Sequence, residues 1–418
     1  MSINPFEIKP KNYEKTLESL QSMYPKAYDK NDVDPYTKLR IILMNGTEYE
    51  AVWFSHQFSR HCNNNDIRRQ LETVRRVEQQ QQKKISCLKP INESILETTI
   101  GYEHLAVDLT AMLAEREKDV YVKSALDFAL LEDFDHLYRY ANLLEMDQGI
   151  HAEKLIGKLA EIMPARPTIA EHRFPADDVK NFVNYKTADP LTKLNIAIIT
   201  AAEQQTMNYY MNVAGFYSND LGRKIYSEIG MIEEAHVTQY GCLMDTNCTW
   251  LEGLLEHEYT EAYLYYSCYM DETDPKIKKI WEQQFEKEVQ HLHMAAEMLR
   301  IYEKKDFTEV IPNPVFPELL TFHPSIDYVR NVIKNTVENT GDNEGYININ
   351  NLSDDHRFFN YNSIINEDVD KSPTHCVIEK HIKDFGKDYR YETKNHPIDS
   401  LGDRKVDNVD IGRIKREQ

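Results

Sequence analysis

Apolar residues recur three and four positions apart through most of the middle of this chain, which is the period of one face of an α-helix. The stretch ALDFALLEDFDHLYRYANLL, residues 125–144, is the plainest case. The same pattern predicts six helices over 93–117, 120–145, 190–217, 220–244, 250–270 and 275–304. Asp220, Thr249 and Asp274 stand where N-caps are needed. Between the second and third helices lie a short helical piece, HAEKLIGKLAEI, and a proline-marked loop, MPARPTIAEHRFPADD.

The flanks read differently. Pro5, Pro10, Pro25 and Pro35 interrupt the first 46 residues, where an apolar IILM run precedes Asn45-Gly46. That dipeptide can turn a β-hairpin into EYEAVWF. A helix is preferred, because Thr47 and Glu50 fit a capping box and place Val52, Trp53 and His56 on one face. A further helix is expected over 66–88, capped by Asp66, striped by Leu71, Val74, Val77 and Ile85, and ended by Pro90. After Phe307 come Pro312, Pro314, Pro317 and Pro324, then an Asn/Asp-rich polar stretch. Three regions follow: a mixed, helical 1–90, a helical bundle 91–305, and a loop-rich polar 306–418.

Composition supports an all-α reading, since Gly and Pro together make only 30 of 418 residues (14 plus 16), and 41% hydrophobic residues suffice for a substantial core. A net charge of −20 argues against nucleic acid or an anionic membrane as partner and suits a protein that handles cations. The start, MSINPFEIKPKN, carries no apolar leader, and the AIITAA run is far too short to span a membrane, so a cytoplasmic location is expected. Six cysteines form no C-x-x-C pair, which excludes a zinc ribbon, a rubredoxin centre or a thioredoxin-like motif and leaves reduced, mostly buried thiols as the expectation.

The chemistry lies in a repeated spacing. Glu103 precedes Asp133 and His136, Glu203 precedes Glu233 and His236, and Glu258 precedes Glu288 and His291; 133−103, 233−203 and 288−258 are each 30. Residues i and i+3 of a helix share a face about 4.5 Å apart along the axis, so each acid and its His can address one ion. With 15 His and 69 acidic residues, chance alone yields roughly two or three acid-x-x-His pairs. The information is therefore in the glutamate at one fixed distance before all three. Its setting adds weight: Glu203 lies in NIAIITAAEQQ, His236 in IGMIEEAHV and Glu103 in TTIGYEHLAV, and acids inside apolar runs need a cation or partner. Two divalent ions shared by about four carboxylates and two imidazoles would provide one. Oxygen-rich ligation with one His per metal suits iron or manganese better than copper, and the lack of thiolates argues against structural zinc.

On these nine residues the chain, over about 93–304, resembles the ferritin-like superfamily, in particular its rubrerythrin-like and other di-iron carboxylate branches. The resemblance implies a left-handed four-helix bundle holding two Fe or Mn ions between two helical hairpins and reacting with O2 or peroxide as an oxidoreductase. A homo-oligomer is expected. The chain departs from the family in having a third hairpin, Asp133 in place of glutamate, and no rubredoxin-type centre. The long connection after the second helix matches the family's crossover and favours a site from the first four helices, with Glu103, His136, Glu203, Glu233 and His236. The last four helices carry the better glutamates but would make an up-down-up-down bundle, and two separate sites or none are further possibilities. The rival readings are a helical structural or assembly protein without metal and an iron-storage shell subunit.

Other features are expected to be structural. Tyr210 and Tyr265, seven residues after Glu203 and Glu258, read as core residues, with a hydrogen bond to a metal ligand as the alternative. His104, His257 and His293 are expected on helix surfaces. Glu132, Glu234 and Glu261 are candidates for carboxylates supporting or substituting for a ligand, and the EQQQQKK run at 78–84 reads as a solvated helix face.

Overall fold

The computed structural model describes residues 3–166 and 168–386. In chain order its helices are α1 (Pro35–His61), α2 (Asn65–Ser86), α3 (Ile95–Arg116), α4 (Val120–Gln148), the single turn α5 (Glu153–Ile156), α6 (Pro190–Phe216), α7 (Asp220–Cys242), α8 (Trp250–Asp271), α9 (Pro275–Tyr302), α10 (Ile326–Thr336), α11 (Arg357–Ile365) and α12 (Pro373–Phe385). Among the described residues the fold is all-α apart from one antiparallel hairpin, β1 (Asn339–Asp342) with β2 (Gly345–Asn348).

Local signals account for most helix ends. Ser94 with Glu97 and Thr249 with Glu252 form reciprocal capping boxes on α3 and α8, and Asp119 and Asp274 accept from the first backbone N–H groups of α4 and α9. Gly149 ends α4 at φ 64°, in the left-handed region that glycine enters without a Cβ clash. Two caps sit one or two residues earlier than the sequence pattern indicates: Asn219, not Asp220, caps α7, and Asn64, not Asp66, caps α2.

The larger departure is α1. It begins at Pro35 and continues through Asn45-Gly46, so Thr47 is no cap; its hydroxyl donates back to the Leu43 carbonyl within the helix. A mid-helix glycine costs about 1 kcal/mol relative to alanine. Ile41, Ile42, Leu43 and Met44 are all at most 2% exposed, and burying four such side chains, at about 1.5–3 kcal/mol each, outweighs it.

The chain divides into two compact units, each discontinuous in sequence. Of the described residues, unit 1 comprises 3–93, 183–202 and 245–322, and unit 2 comprises 94–182, 203–244 and 323–386. These differ from three consecutive regions, because α1 and α2 pack with α8 and α9 rather than forming a separate N-terminal part. Unit 1 is built on that four-helix set, with Leu39, Leu71, Val77, Ile85, Leu264, Trp281 and Leu292 in its core. Arg40 of α1 is buried there against Glu272 at 3.0 Å and Asp271 at 2.7 Å.

Unit 2 is built on α3, α4, the second half of α6, and α7. Ile100, Val107, Leu130, Phe134, Leu137, Tyr140, Tyr210, Tyr226 and Ile229 lie in one core. Segment 306–386 is more ordered than its polar composition suggests. Val329, Val332 and Ile333 of α10 and Val377 and Ile378 of α12 join that core, at the three- and four-residue spacing of a docked helix face. The β1–β2 hairpin lies inside the Asn/Asp-rich stretch, with Asn343 at φ 52° in its turn. The remainder of the expected polar region, 387–418, lies outside the described residues. Among the described residues, no helix is long and apolar enough to cross a membrane.

Candidate metal centre

Four helices of unit 2 each deliver part of one cluster. Glu103 comes from α3, Asp133 and His136 from α4, Glu203 from α6, and Glu233 and His236 from α7. All six are between 0% and 1% exposed. The i, i+3 spacing turns each acid and its imidazole to the same side of their helix. Asp133, Glu203, Glu233 and His236 bring ligand atoms within 4.8 Å of one another, and so do Glu103, His136 and Glu233. Glu233 belongs to both groups. Two pockets of donors therefore share one carboxylate, the arrangement a bridging ligand requires.

The imidazoles are held from behind. His136 places Nδ1 3.0 Å from Glu233, and its Nε2 lies 3.2 Å from Glu171. His236 turns Nδ1 toward Glu233, Asp133 and Glu203 at 3.3, 3.4 and 3.8 Å, while its Nε2 meets Glu132 at 2.7 Å. An outer carboxylate on the second ring nitrogen fixes tautomer and orientation and raises the basicity of the inward nitrogen. Glu132 is itself clamped by Arg173 at 2.8 and 3.0 Å. Glu103 accepts a hydrogen bond from Tyr210.

The sequence reading missed Glu171 and Arg173, which come from the proline-marked loop. Only the density of charge in AEHRFPADD, unusual for a segment otherwise apolar, signals them. Glu132 pairs with His236, whereas Glu234 is exposed and accepts from Thr238.

The electrostatics are those of a site short of positive charge. Burial raises Glu103 and Asp133 well above the usual carboxylate range, with Glu233 and Glu203 adding to it. Burial and the neighbouring Glu233 push Glu203 up to about 7. Burial also opposes ionisation of Glu132, but Arg173 and His236 outweigh it and hold that carboxyl at about 2. Glu233 is likewise held well below the usual range against burial, by His136 and His236. Both imidazoles are raised despite burial, His136 by Glu171 and Glu233, and His236 by Glu132, Glu203 and Glu233. Without metal, then, protons supply the missing positive charge.

These groups of donors could each hold a metal ion. Glu103 Oε2, both oxygens of Asp133 and of Glu203, Glu233 Oε2 and His236 Nδ1 are buried and make no hydrogen bond among the described residues, although His236 Nδ1 faces three of these carboxylates at 3.3–3.8 Å. Each such atom costs about 1–3 kcal/mol unless something coordinates it. Carboxylates with two imidazoles and no thiolate suit a hard to borderline ion such as iron or manganese.

Glu258, Glu288 and His291 are not part of this cluster. They lie in unit 1 on α8 and α9, so a bundle of the last four predicted helices does not form, and the hairpin of α8 and α9 packs with α1 and α2. There α1 supplies Glu48 and α2 supplies Glu78, and 78−48 is again 30. The fourth repeat escapes a search for acid-x-x-His because Gln81 stands three residues after Glu78, where the other hairpins have histidine. Two groups of donors result, Glu78 with Glu258 and His291, and Glu258 with Glu261 and Glu288. Gln81 donates to Glu48 at 2.9 Å and also to Glu288, and Tyr265 donates to Glu48. Tyr265 thus serves Glu48 as Tyr210 serves Glu103, so both tyrosines are core residues and carboxylate donors at once. Glu78 and Gln81, read as part of a solvated face, are buried.

The remaining histidines have other partners. His104 is buried rather than on a helix surface and pairs with Asp108 at 3.0 Å, His257 is 3.2 Å from Glu50, and His293 bonds the Ile8 carbonyl. Comparison with protein-family models, curated proteins and solved structures finds no match to this chain.

Proposed function

We propose that unit 2 is a ferritin-like bundle of the rubrerythrin-like, di-iron carboxylate kind, holding two Fe or Mn ions and acting as an oxidoreductase on O2 or peroxide. The observation that carries this reading is Glu233, the one carboxylate common to two groups of donors that each contain a histidine. Glu103 and His136 would hold one ion and Glu203, His236 and Asp133 the other, with Glu233 between them. When bound, such a pair supplies the electrons for reducing O2 or peroxide and stores the resulting charge on the metals.

The chain's own groups do the rest. Glu171 and Glu132 orient the two imidazoles, and Arg173 keeps Glu132 ionised against burial. Tyr210 occupies one oxygen of Glu103 and leaves the other to the site. The apolar core around the cluster excludes water, which strengthens each of these electrostatic interactions.

Metal analysis of the full chain tests the reading, together with the consumption of O2 or hydrogen peroxide by the reduced, loaded protein. Close to two Fe or Mn in unit 2, lost together with turnover in His236→Ala, is expected. A chain without bound metal after anaerobic, metal-supplemented expression would instead be a helical structural protein. Metal uptake in large excess into a closed shell, seen by native mass spectrometry, would make it a storage subunit.

A further inference from the structure

Unit 1 repeats the hairpin geometry with one imidazole fewer, and its donors are no better satisfied. Both carboxylate oxygens of Glu258 and of Glu261, Oε2 of Glu78 and Nε2 of His291 are buried without a hydrogen-bond partner among the described residues. These four residues are at most 2% exposed. Ligand atoms of Glu78, Glu258 and His291 lie within 4.8 Å of one another. A small cavity walled by Phe54, Leu71, Val74 and Leu254 adjoins those three side chains. This is more than a group of acids: oxygen and nitrogen donors without hydrogen bonds converge beside a largely apolar cavity, where leaving them uncoordinated is costly.

Gln81 sets the capacity of the site. Its amide faces two carboxylates, Glu48 and Glu288, so the NH2 group must be the end turned toward them. An NH2 group donates and cannot ligate, and it occupies lone pairs that a second ion would need. Tyr265 takes a further lone pair of Glu48. What remains is one group of close donors that includes an imidazole, Glu78 with Glu258 and His291; the other nearby nitrogen, His257 Nε2, faces Glu261 at 3.6 Å.

We propose that unit 1 binds a single divalent transition cation, of the Mn(II) or Fe(II) class, through Glu78, Glu258 and His291. Glu261, which sits beside Glu258 with its Oε2 3.6 Å from His257 Nε2, lies within reach to complete the shell. The site stands apart from the proposal for unit 2, and either can fail without the other.

The test uses the full chain carrying Glu233→Gln, His136→Ala and His236→Ala, which removes the shared carboxylate and both imidazoles of unit 2. After chelation and dialysis against Mn(II), elemental analysis should find about one Mn per chain. Its electron spin resonance should be that of an isolated Mn(II) coupled to one imidazole nitrogen. Adding Glu258→Gln should abolish that equivalent, and adding His291→Ala should remove the nitrogen coupling. No bound Mn, a spin-coupled pair, or Mn without nitrogen coupling would each overturn the proposal. Should the multiple variants fail to fold, anomalous scattering at the Mn edge from crystals of the Mn-loaded natural chain decides. A single peak among Glu78, Glu258 and His291 supports the site, and its absence there rejects it. Loss of metal confined to unit 2 bears only on the function proposed for that unit.

Discussion

Tyr210 on α6 donates its hydroxyl hydrogen to Glu103 on α3, tying together two helices that belong to different hairpins. Without the phenol, Glu103 would have both oxygens unpaired in the core. Tyr210→Phe should therefore lower metal affinity in unit 2 by about 10–100-fold, the range seen when a group orienting a ligand is lost. It should cost the fold only about 1 kcal/mol, the net worth of one hydrogen bond. A competition titration with a chelator, run beside thermal melts, separates the two effects.

Metal binding should expel protons. Glu103 and Asp133 are raised well above the carboxylate range, Glu203 to about 7, and both imidazoles are raised as well, so the metal-free cluster is protonated at neutral pH. Ligands must be deprotonated to bind. The calorimetric heat of loading at pH 7 should change with the ionisation enthalpy of the buffer, in the sense of net proton release. Heat that is independent of buffer would contradict the charge arrangement described for unit 2.

The same groups set a pH dependence for the metal-free fold. A carboxyl raised in the folded state, such as Glu203, takes up its proton more readily folded than unfolded, so its contribution fades as pH climbs from the ordinary 4.5 through about 7. The raised imidazoles act in the same direction above their ordinary 6.5. Glu132, held at about 2, acts oppositely, but only as pH falls below 4.5. Metal-free protein should thus melt at progressively lower temperature from about pH 5 to 8, and metal should restore stability most at the alkaline end. Coincident melting curves with and without metal at every pH would contradict this.

Gln81→His would give unit 1 the imidazole that the other three hairpins carry. The variant should raise the Mn(II) capacity of unit 1 from one ion toward two, read by elemental analysis in the background lacking the unit 2 ligands. Unchanged capacity would mean that Gln81 is not what limits the site.

Three hairpins were legible because each is written twice in the chain, once as helical periodicity and once as the 30-residue interval between a glutamate and the acid of an acid-x-x-His pair on the following helix. Six helix spans follow from that, with α3, α4, α6, α7, α8 and α9 ending within about three residues of expectation, and Thr249 and Asp274 cap α8 and α9 as read. The partner of α8 and α9 was not legible. Gln81 breaks the histidine pattern, and Asn45-Gly46 disguises the continuity of α1, although Glu48 and Glu78 keep the interval. Glu171 and Arg173, marked only by the charge density of their loop, were missed for a different reason. Their roles depend on a loop whose path is set by tertiary packing rather than by local periodicity, and nothing in their spacing links them to His136 or Glu132.

Whether Glu233 joins two metal positions in unit 2 can be seen in anomalous difference maps. Data would be taken on either side of the iron and manganese edges, from crystals of protein expressed with both metals. Two peaks are expected there, one beside Glu103 and His136 and one beside Glu203 and His236, with the Glu233 carboxylate between them. A map with no anomalous peak among these residues would contradict the account and leave them as a buried, proton-balanced polar network.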